Sequence, residues 1–123
     1  MAARKPMVAG NWKMNGSLEL VEQLSSAIKD VQSDELDIVV FPPFPLINAV
    51  TQQDVVVGSQ TVSENQAGAF TGEVDAQLVK DLGATYTLVG HSERRSIYGE
   101  SDEVVADKFA RAQDVGLTPV LCV

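Results

Sequence analysis

The sequence is poor in residues and segments that several classes of protein require. It has one cysteine and one histidine, and aromatic residues make up 6% of its 123 residues. A single cysteine cannot form an internal disulfide, which excludes a small secreted scaffold held together by disulfides. No apolar run approaches the roughly 20 residues that a membrane-spanning helix needs. We therefore expect no membrane partner.

The N-terminal segment lacks the pattern of a secretory signal. MAARKPMVAGNWK carries positive charge, but it has no apolar stretch of about 7–15 residues after that charge. The lone Cys122 is compatible with a reducing compartment. Together these features lead us to expect a cytoplasmic protein.

Positive charge is scarce. Nine lysines and arginines face 17 aspartates and glutamates, which gives a formal net charge of −8. This balance argues against a nucleic-acid partner, which would need a basic patch. A small anionic substrate is still compatible, because charges more than about 10 Å away are largely screened and one nearby lysine can dominate.

Short apolar runs rich in valine and leucine recur along the chain. They are nearly continuous rather than alternating, which is typical of parallel strands covered on both faces. The predicted strands are 7–10, 37–42, 55–58, 86–90 and 118–123. We find no linker or change in composition, so residues 1–123 are predicted to belong to a single domain.

Helical patterns lie between the predicted strands. Ser17 and Ser101 are suitable N-caps, Pro45 suits a first turn, and Gly83 and Gly116 suit helix ends. The apolar positions expected to face the sheet are Leu18, Val21, Leu24, Ile28 and Val31, then Leu46, Ile47 and Val50, then Val74, Leu78 and Leu82, and finally Val105, Phe109 and Ala112. This alternation predicts a parallel α/β sheet, and the pattern by itself fits a doubly wound sheet and a barrel equally well.

Polar residues follow several of the predicted strands. Asn11 and Lys13 follow the first, Gln60 the third, and His91 the fourth. The carboxyl ends of parallel strands lie at one edge of the sheet, so these side chains should share one face. A lysine there could hold an anion. An imidazole at the start of the helical turn SERR is disfavoured as a cation, so it could polarise a carbonyl as a neutral donor.

Each of these residues also has a simpler interpretation. A histidine after a strand is more often a surface or capping residue than a catalyst, and a lysine two residues past a strand is usually just solvated. Glu93-Arg94-Arg95 can be an exposed helix start or a structural ion-pair cluster. Cys122 is expected to be a small core residue, since cysteine is among the most buried residue types.

Several segments, in order, resemble the signature segments of the triosephosphate isomerase family. They are NWKMN after the first strand, AFTGEV after the third, LVGHSERR after the fourth, and the closing GLTPVLCV. One local departure is Ser59-Gln60-Thr61-Val62, where the family more usually has alanine-glutamine-asparagine-valine. The resemblance implies a (β/α)₈ barrel, of which this chain holds the first four βα units and strand five. It also implies an enzyme that interconverts dihydroxyacetone phosphate and D-glyceraldehyde 3-phosphate through an enediolate, with no cofactor and no metal.

The resemblance also implies roles for individual residues. Asn11 and Lys13 bind the phosphorylated triose, and Lys13 places positive charge near the phosphate and the enediolate. His91 polarises the carbonyl and moves a proton between the two oxygens, while Glu93 holds the lysine in place. The loop 68–72, with Thr71 and Gly72, resembles the one that enters a neighbouring subunit, and Gln60 lies on that interface of the family's homodimer.

The resemblance further implies that the glutamate base follows strand six, whereas the resemblance here ends in strand five. A (β/α)₈ barrel takes about 250 residues, of which 123 is close to half. We therefore expect this stretch to be inactive by itself. The alternative function, of a different class, is a non-catalytic half-barrel module for folding or assembly.

Overall fold

A computed structural model describes residues 3–123 and contains one parallel β-sheet. The strands are ordered β1-β2-β3-β4-β5 across the sheet, and each neighbouring pair is parallel. They are β1 (Met7–Asn11), β2 (Asp37–Phe41), β3 (Val56–Ser59), β4 (Tyr86–Val89) and β5 (Thr118–Leu121). The predicted strands are confirmed, with small shifts such as 55–58 becoming Val56–Ser59.

Helices connect successive strands, as the alternating pattern predicts. They are α1 (Leu18–Val31), α2 (Ile47–Thr51) preceded by a 3₁₀ turn (Phe44–Leu46), α3 (Ala76–Asp81), α4 (Ser92–Tyr98) and α5 (Asp102–Asp114). Ser17 caps α1 by accepting from the Leu20 N–H, and Ser101 caps α5 by accepting from the Val104 N–H. Both predicted N-caps are therefore confirmed. Within residues 3–123, no helix is long and apolar enough to cross a membrane.

The predicted sheet-facing positions are wrong at Leu18 and Val31 at the two ends of α1, which are 68% and 62% exposed, and at Leu78 in α3. Leu78 was expected to face the sheet, but it is 51% exposed, whereas Ala76 and Val79 are buried. The helix is capped by the Asp75 side chain, which accepts from the Gln77 N–H, and it turns Ala76 and Val79 toward the sheet, so the adjacent Leu78 points away from it. The other two predicted positions, Val74 and Leu82, do pack against the apolar core, together with Ala76 and Val79.

The apolar residues form two layers, one on each face of the sheet. The larger cluster lies between sheet and helices and includes Val40, Val57, Ile47 and Val79. The smaller cluster lies on the opposite face and is built on the strand residues Val39, Phe41 and Leu88, with Tyr86, Val120 and Cys122 packed against them. Alternate strand residues point to opposite faces, so a nearly continuous apolar run supplies both layers. The result is a five-stranded parallel half-barrel.

Cys122 partly fulfils its expected place in the core. It is half-buried and packs against the smaller cluster, and this burial raises the pKa of its thiol.

Gly58 lets the central strands of the sheet pack closely. A Cβ atom at this position would overlap the Phe41 ring and would lie 2.7 Å from the Tyr86 carbonyl oxygen. The ring could move only by disturbing the smaller cluster, and the backbone oxygen belongs to the neighbouring strand. Glycine at position 58 is therefore required by space rather than by backbone conformation.

We predict that Gly58→Ala lowers the free energy of unfolding by about 1–3 kcal/mol, the usual cost of overpacking a core. The matched control is Gly10→Ala, because a Cβ there would meet only a Val40 methyl group at 4.0 Å. Urea unfolding followed by circular dichroism measures both variants. Equal unfolding free energies for the two variants would contradict this account of Gly58.

Candidate active site

Side chains from three strand ends and one helix line a single pocket of about 390 Å³. Asn11 ends β1, Lys13 lies two residues later, Gln60 follows β3, and His91 and Glu93 lie at the start of α4. All five line the pocket, together with Phe44 from the 3₁₀ turn and Tyr98 from the end of α4. The expectation that Asn11, Lys13, Gln60 and His91 share one face is confirmed.

His91 is the N-cap of α4, and this position determines which ring nitrogen accepts a hydrogen bond from the helix. Its Nδ1 accepts a hydrogen bond of 3.0 Å from the backbone N–H of Glu93. A Glu93 carboxylate oxygen also lies 3.5 Å from Nδ1. The backbone N–H can only donate, so Nδ1 carries its lone pair and the longer contact is not a hydrogen bond. This geometry assigns the proton of a neutral imidazole to Nε2, which leaves Nε2 as a donor.

Lys13 lies in a strained backbone conformation, with a φ of 55°. For a residue other than glycine, such a conformation costs on the order of 1–3 kcal/mol and persists only where its surroundings impose it. Its N–H donates to Asn11 Oδ1 at 2.9 Å. Its Nζ lies 3.1 Å from Glu93 Oε2, and the two side chains are 54% and 43% exposed. An ion pair this exposed contributes about 0–1 kcal/mol to stability, so its effect is to place the ammonium in the pocket.

Gln60 bridges the ends of the first three strands. Its Nε2 donates to the carbonyl oxygen of Lys13 at 2.8 Å and to that of Phe41 at 2.8 Å. Both N–H groups of the side-chain amide are thereby used within the chain. Sequence reasoning considered Gln60 only as a residue at one strand end and at a subunit interface, and missed this bridge.

Arg94 and Arg95 form structural ion pairs, which confirms one of the two simpler interpretations of Glu93-Arg94-Arg95. Arg94 Nε lies 2.5 Å from Glu100 Oε2. Arg95 binds Asp102 at 2.5 Å through Nη1 and donates from Nε to the Gly90 carbonyl oxygen at 3.0 Å. These contacts hold α4 in place along the pocket.

A buried polar cluster beside α4 was not predicted. Glu100 Oε2 also accepts from Lys108 Nζ at 2.7 Å, and the two side chains are 7% and 4% exposed. Lys108 Nζ donates to Thr61 Oγ1 at 3.0 Å as well. A signal for this cluster was present, because Lys108 shares the inward face of α5 with Val105 and Ala112 at helical spacing.

The charges around Glu100 determine its protonation. Burial by itself would raise the pKa of the Glu100 carboxyl, but hydrogen bonds from Arg94 and Lys108 outweigh it and the pKa is lowered. Among residues 3–123, Glu100 Oε1 is buried without a hydrogen-bond partner. The cluster therefore holds an ionised carboxylate that depends on its two cations.

Two of the site residues expected from the sequence lie elsewhere. Thr71 and Gly72 are exposed in the loop between β3 and α3, next to the largely exposed Phe70. They do not line the pocket that contains His91. In the part of the chain from residue 3 onward, no group of three His, Cys, Asp or Glu side chains is arranged to hold a metal ion.

Parallel strands, intervening helices and polar side chains at the carboxyl ends define the first half of a (β/α)₈-barrel protein. The family model described as triosephosphate isomerase matches residues 6–123. The chain belongs to the triosephosphate isomerase family.

Individual relatives agree with this assignment. The chain is 74% identical over its whole length to a triosephosphate isomerase of Pseudoalteromonas translucida, of which it covers 49%. It is 47% identical to one from Shewanella woodyi, with all of this chain and 52% of the relative aligned. It is 48% identical to one from Alkalilimnicola ehrlichii, with 98% of this chain and 50% of the relative aligned. The chain spans about half the length of these curated relatives.

The buried cluster should make stability depend on pH. Because the folded pKa of Glu100 lies below its ordinary value of 4.5, its stabilising contribution is present above that value and is lost as the pH falls through the folded pKa. We predict that Glu100→Gln lowers the free energy of unfolding at pH 7 by about 3–5 kcal/mol, the cost of unpairing buried charges. The gap to the wild type should narrow below pH 4.5.

Urea unfolding at a series of pH values measures this gap. Glu103→Gln in the exposed first turn of α5 is the matched control and should change little. A gap for Glu100→Gln that stays constant with falling pH would contradict the assigned ionisation.

Proposed function

We propose that this chain is the N-terminal half of a triosephosphate isomerase, which interconverts dihydroxyacetone phosphate and D-glyceraldehyde 3-phosphate. The observation that carries the proposal is one pocket containing the Lys13 ammonium and an imidazole whose Nδ1 is occupied by the Glu93 N–H. A neutral imidazole with its proton on Nε2 can donate to a carbonyl oxygen. An ammonium nearby suits a phosphorylated substrate.

The proposed roles follow from these positions. Lys13 attracts the phosphate and the negative charge that develops on the enediolate. His91 donates from Nε2 to the carbonyl oxygen and moves a proton between the two oxygens. Asn11 contacts substrate and also orients the Lys13 backbone through its 2.9 Å hydrogen bond. Glu93 keeps the ammonium in place.

The complete protein is proposed to be a cytoplasmic homodimer, with neither nucleic acid nor membrane as partner and with no cofactor. Residues 1–123 then form one part of a single barrel domain. Thr71 and Gly72 are proposed to enter the partner subunit, which agrees with their exposure in the loop after β3. Gln60 is proposed to lie at the base of the same interface.

A second candidate is a non-catalytic half-barrel module. Two features favour it. The edge-strand residues Val8 and Leu121 are exposed, which suits association with further strands. Glu93, the carboxylate in the pocket nearest His91, is engaged with Lys13. Isomerase assays of the complete protein distinguish the candidates.

The first test concerns His91. In the full-length protein, we predict that His91→Gln lowers kcat by about 10²-fold or more, because the lost donor acts mainly on the developing oxyanion. KM should change much less. Steady-state kinetics in a coupled assay measure both constants, with the exposed Asp107→Asn as control. Equal kcat values in the wild type and His91→Gln would remove His91 from the chemistry.

The second test concerns residues 1–123 alone. We predict no activity above buffer, because abstraction of a proton from carbon needs a base within about 2.6–3.2 Å of its target, and loss of a general base costs about 10²–10⁴ in rate. Activity should return when a chain carrying strands six to eight is added. The protein is made in a host that lacks its own isomerase. Turnover by residues 1–123 alone that disappears in His91→Gln would show that they contain a working base.

A further inference from the structure

We propose that Gln60 is a positioning residue for Lys13. Its side-chain amide holds the Lys13 backbone in the left-handed conformation, and this conformation fixes the ammonium against Glu93. The inference rests on the proposed function and gives Gln60 a role in the substrate site besides the proposed interface.

The starting point is the backbone at Lys13. A φ of 55° places it in a region that residues with a Cβ atom seldom adopt. Lys13 lies beyond β1, so no ladder of the sheet holds it there. Surrounding groups must therefore impose the conformation.

Two side chains hold the backbone of Lys13 from opposite ends. Asn11 Oδ1 accepts from its N–H at 2.9 Å, and Gln60 Nε2 donates to its carbonyl oxygen at 2.8 Å. The Asn11 contact is local, whereas Gln60 comes from the far side of β2. Gln60 therefore ties the carbonyl group of Lys13 directly to the end of β3, which lies beyond β2 in the sheet.

The second bond of the Gln60 amide anchors it. Nε2 also donates to the Phe41 carbonyl oxygen at 2.8 Å, and the same oxygen accepts the Trp12 N–H at 3.1 Å. Phe41 is fully buried at the end of β2, so this oxygen is a fixed point. One amide thus sets the segment after β1 in register with the ends of β2 and β3.

The backbone conformation of Lys13 affects the position of its ammonium group. Lys13 Nζ lies 3.1 Å from Glu93 Oε2, although both side chains are about half exposed. An exposed pair of this kind contributes only about 0–1 kcal/mol, so by itself it holds the lysine side chain weakly. A fixed backbone at Lys13 restricts where the side chain can reach, so Gln60 adds to the positioning that Glu93 provides.

The test uses the full-length protein carrying Gln60→Met, which keeps the length of the side chain but removes both donors. The matched control is Gln113→Met at an exposed position of α5. Crystal structures of both variants report the φ of Lys13. Steady-state kinetics with glyceraldehyde 3-phosphate report kcat and KM, and Lys13→Met provides the reference for complete loss of the ammonium.

We expect Lys13 to leave the left-handed region in Gln60→Met and the Nζ–Glu93 contact to be lost. The ratio kcat/KM should fall by roughly 10²-fold, the scale of a 1 Å misplacement, through both kcat and KM, because Lys13 is proposed to contact the phosphate and the developing enediolate. Gln113→Met should match the wild type. If Gln60→Met does not fold, Gln60→Asn replaces it, because it keeps the amide but is one methylene too short to reach both carbonyls.

Retention of the left-handed φ and of the Nζ–Glu93 contact in the variant would overturn the proposal, as would an unchanged kcat/KM beside a large loss in Lys13→Met. If the wild type shows no isomerase activity, the proposed function fails. The φ of Lys13 in the variant then decides the role of Gln60 without reference to catalysis: loss of the left-handed conformation supports it, and retention overturns it.

Discussion

The parallel direction of the strands is the constraint on which the rest of the structure depends. All four strand pairs run the same way, so every carboxyl end lies at the same edge. Residues 80 positions apart in the sequence, Asn11 and His91, therefore line one pocket. The same direction forces each connection to cross a face of the sheet, and the connecting helices cover that face with the larger apolar cluster.

Two kinds of ion pair serve this pocket, and their environments give them different effects. The Lys13–Glu93 pair is half exposed and adds little to stability, so its value lies in where it leaves the ammonium. The Glu100–Lys108 pair is almost fully buried, and losing either partner would strand a charge in the interior. Through Arg94, this buried pair fixes α4, the helix that carries Glu93 and is capped by His91. The exposed Lys13–Glu93 pair thus lies in the pocket, and the buried Glu100–Lys108 pair supports the helix that lines it.

The sequence was informative where one chemical signal dominates. Nearly continuous valine-rich runs predicted the strands, and Ser17 and Ser101 predicted helix starts, because each signal is local. The position of Leu78 was wrong because apolar residues occur on more than one side of α3, and spacing alone did not show that Val79 rather than Leu78 faces the sheet. The two hydrogen bonds from the Gln60 amide to the carbonyl oxygens of Lys13 and Phe41 were also missed. These bonds join residues that become neighbours only after β1, β2 and β3 pair. The periodicity of apolar residues in the sequence does not indicate such contacts.

The reactivity of the Cys122 thiol can be used to follow the packing of the smaller apolar cluster. Its thiol packs against the smaller apolar cluster, and a raised pKa keeps it protonated near neutral pH. Thiolate is the species that reacts with alkylating reagents, so the packed thiol reacts slowly. Any motion that separates β5 from Phe41 and Leu88 would admit both water and reagent. Because Cys122 is the sole thiol among these 123 residues, a rise in its alkylation rate above that of the half-buried folded state reports loosening of the smaller cluster.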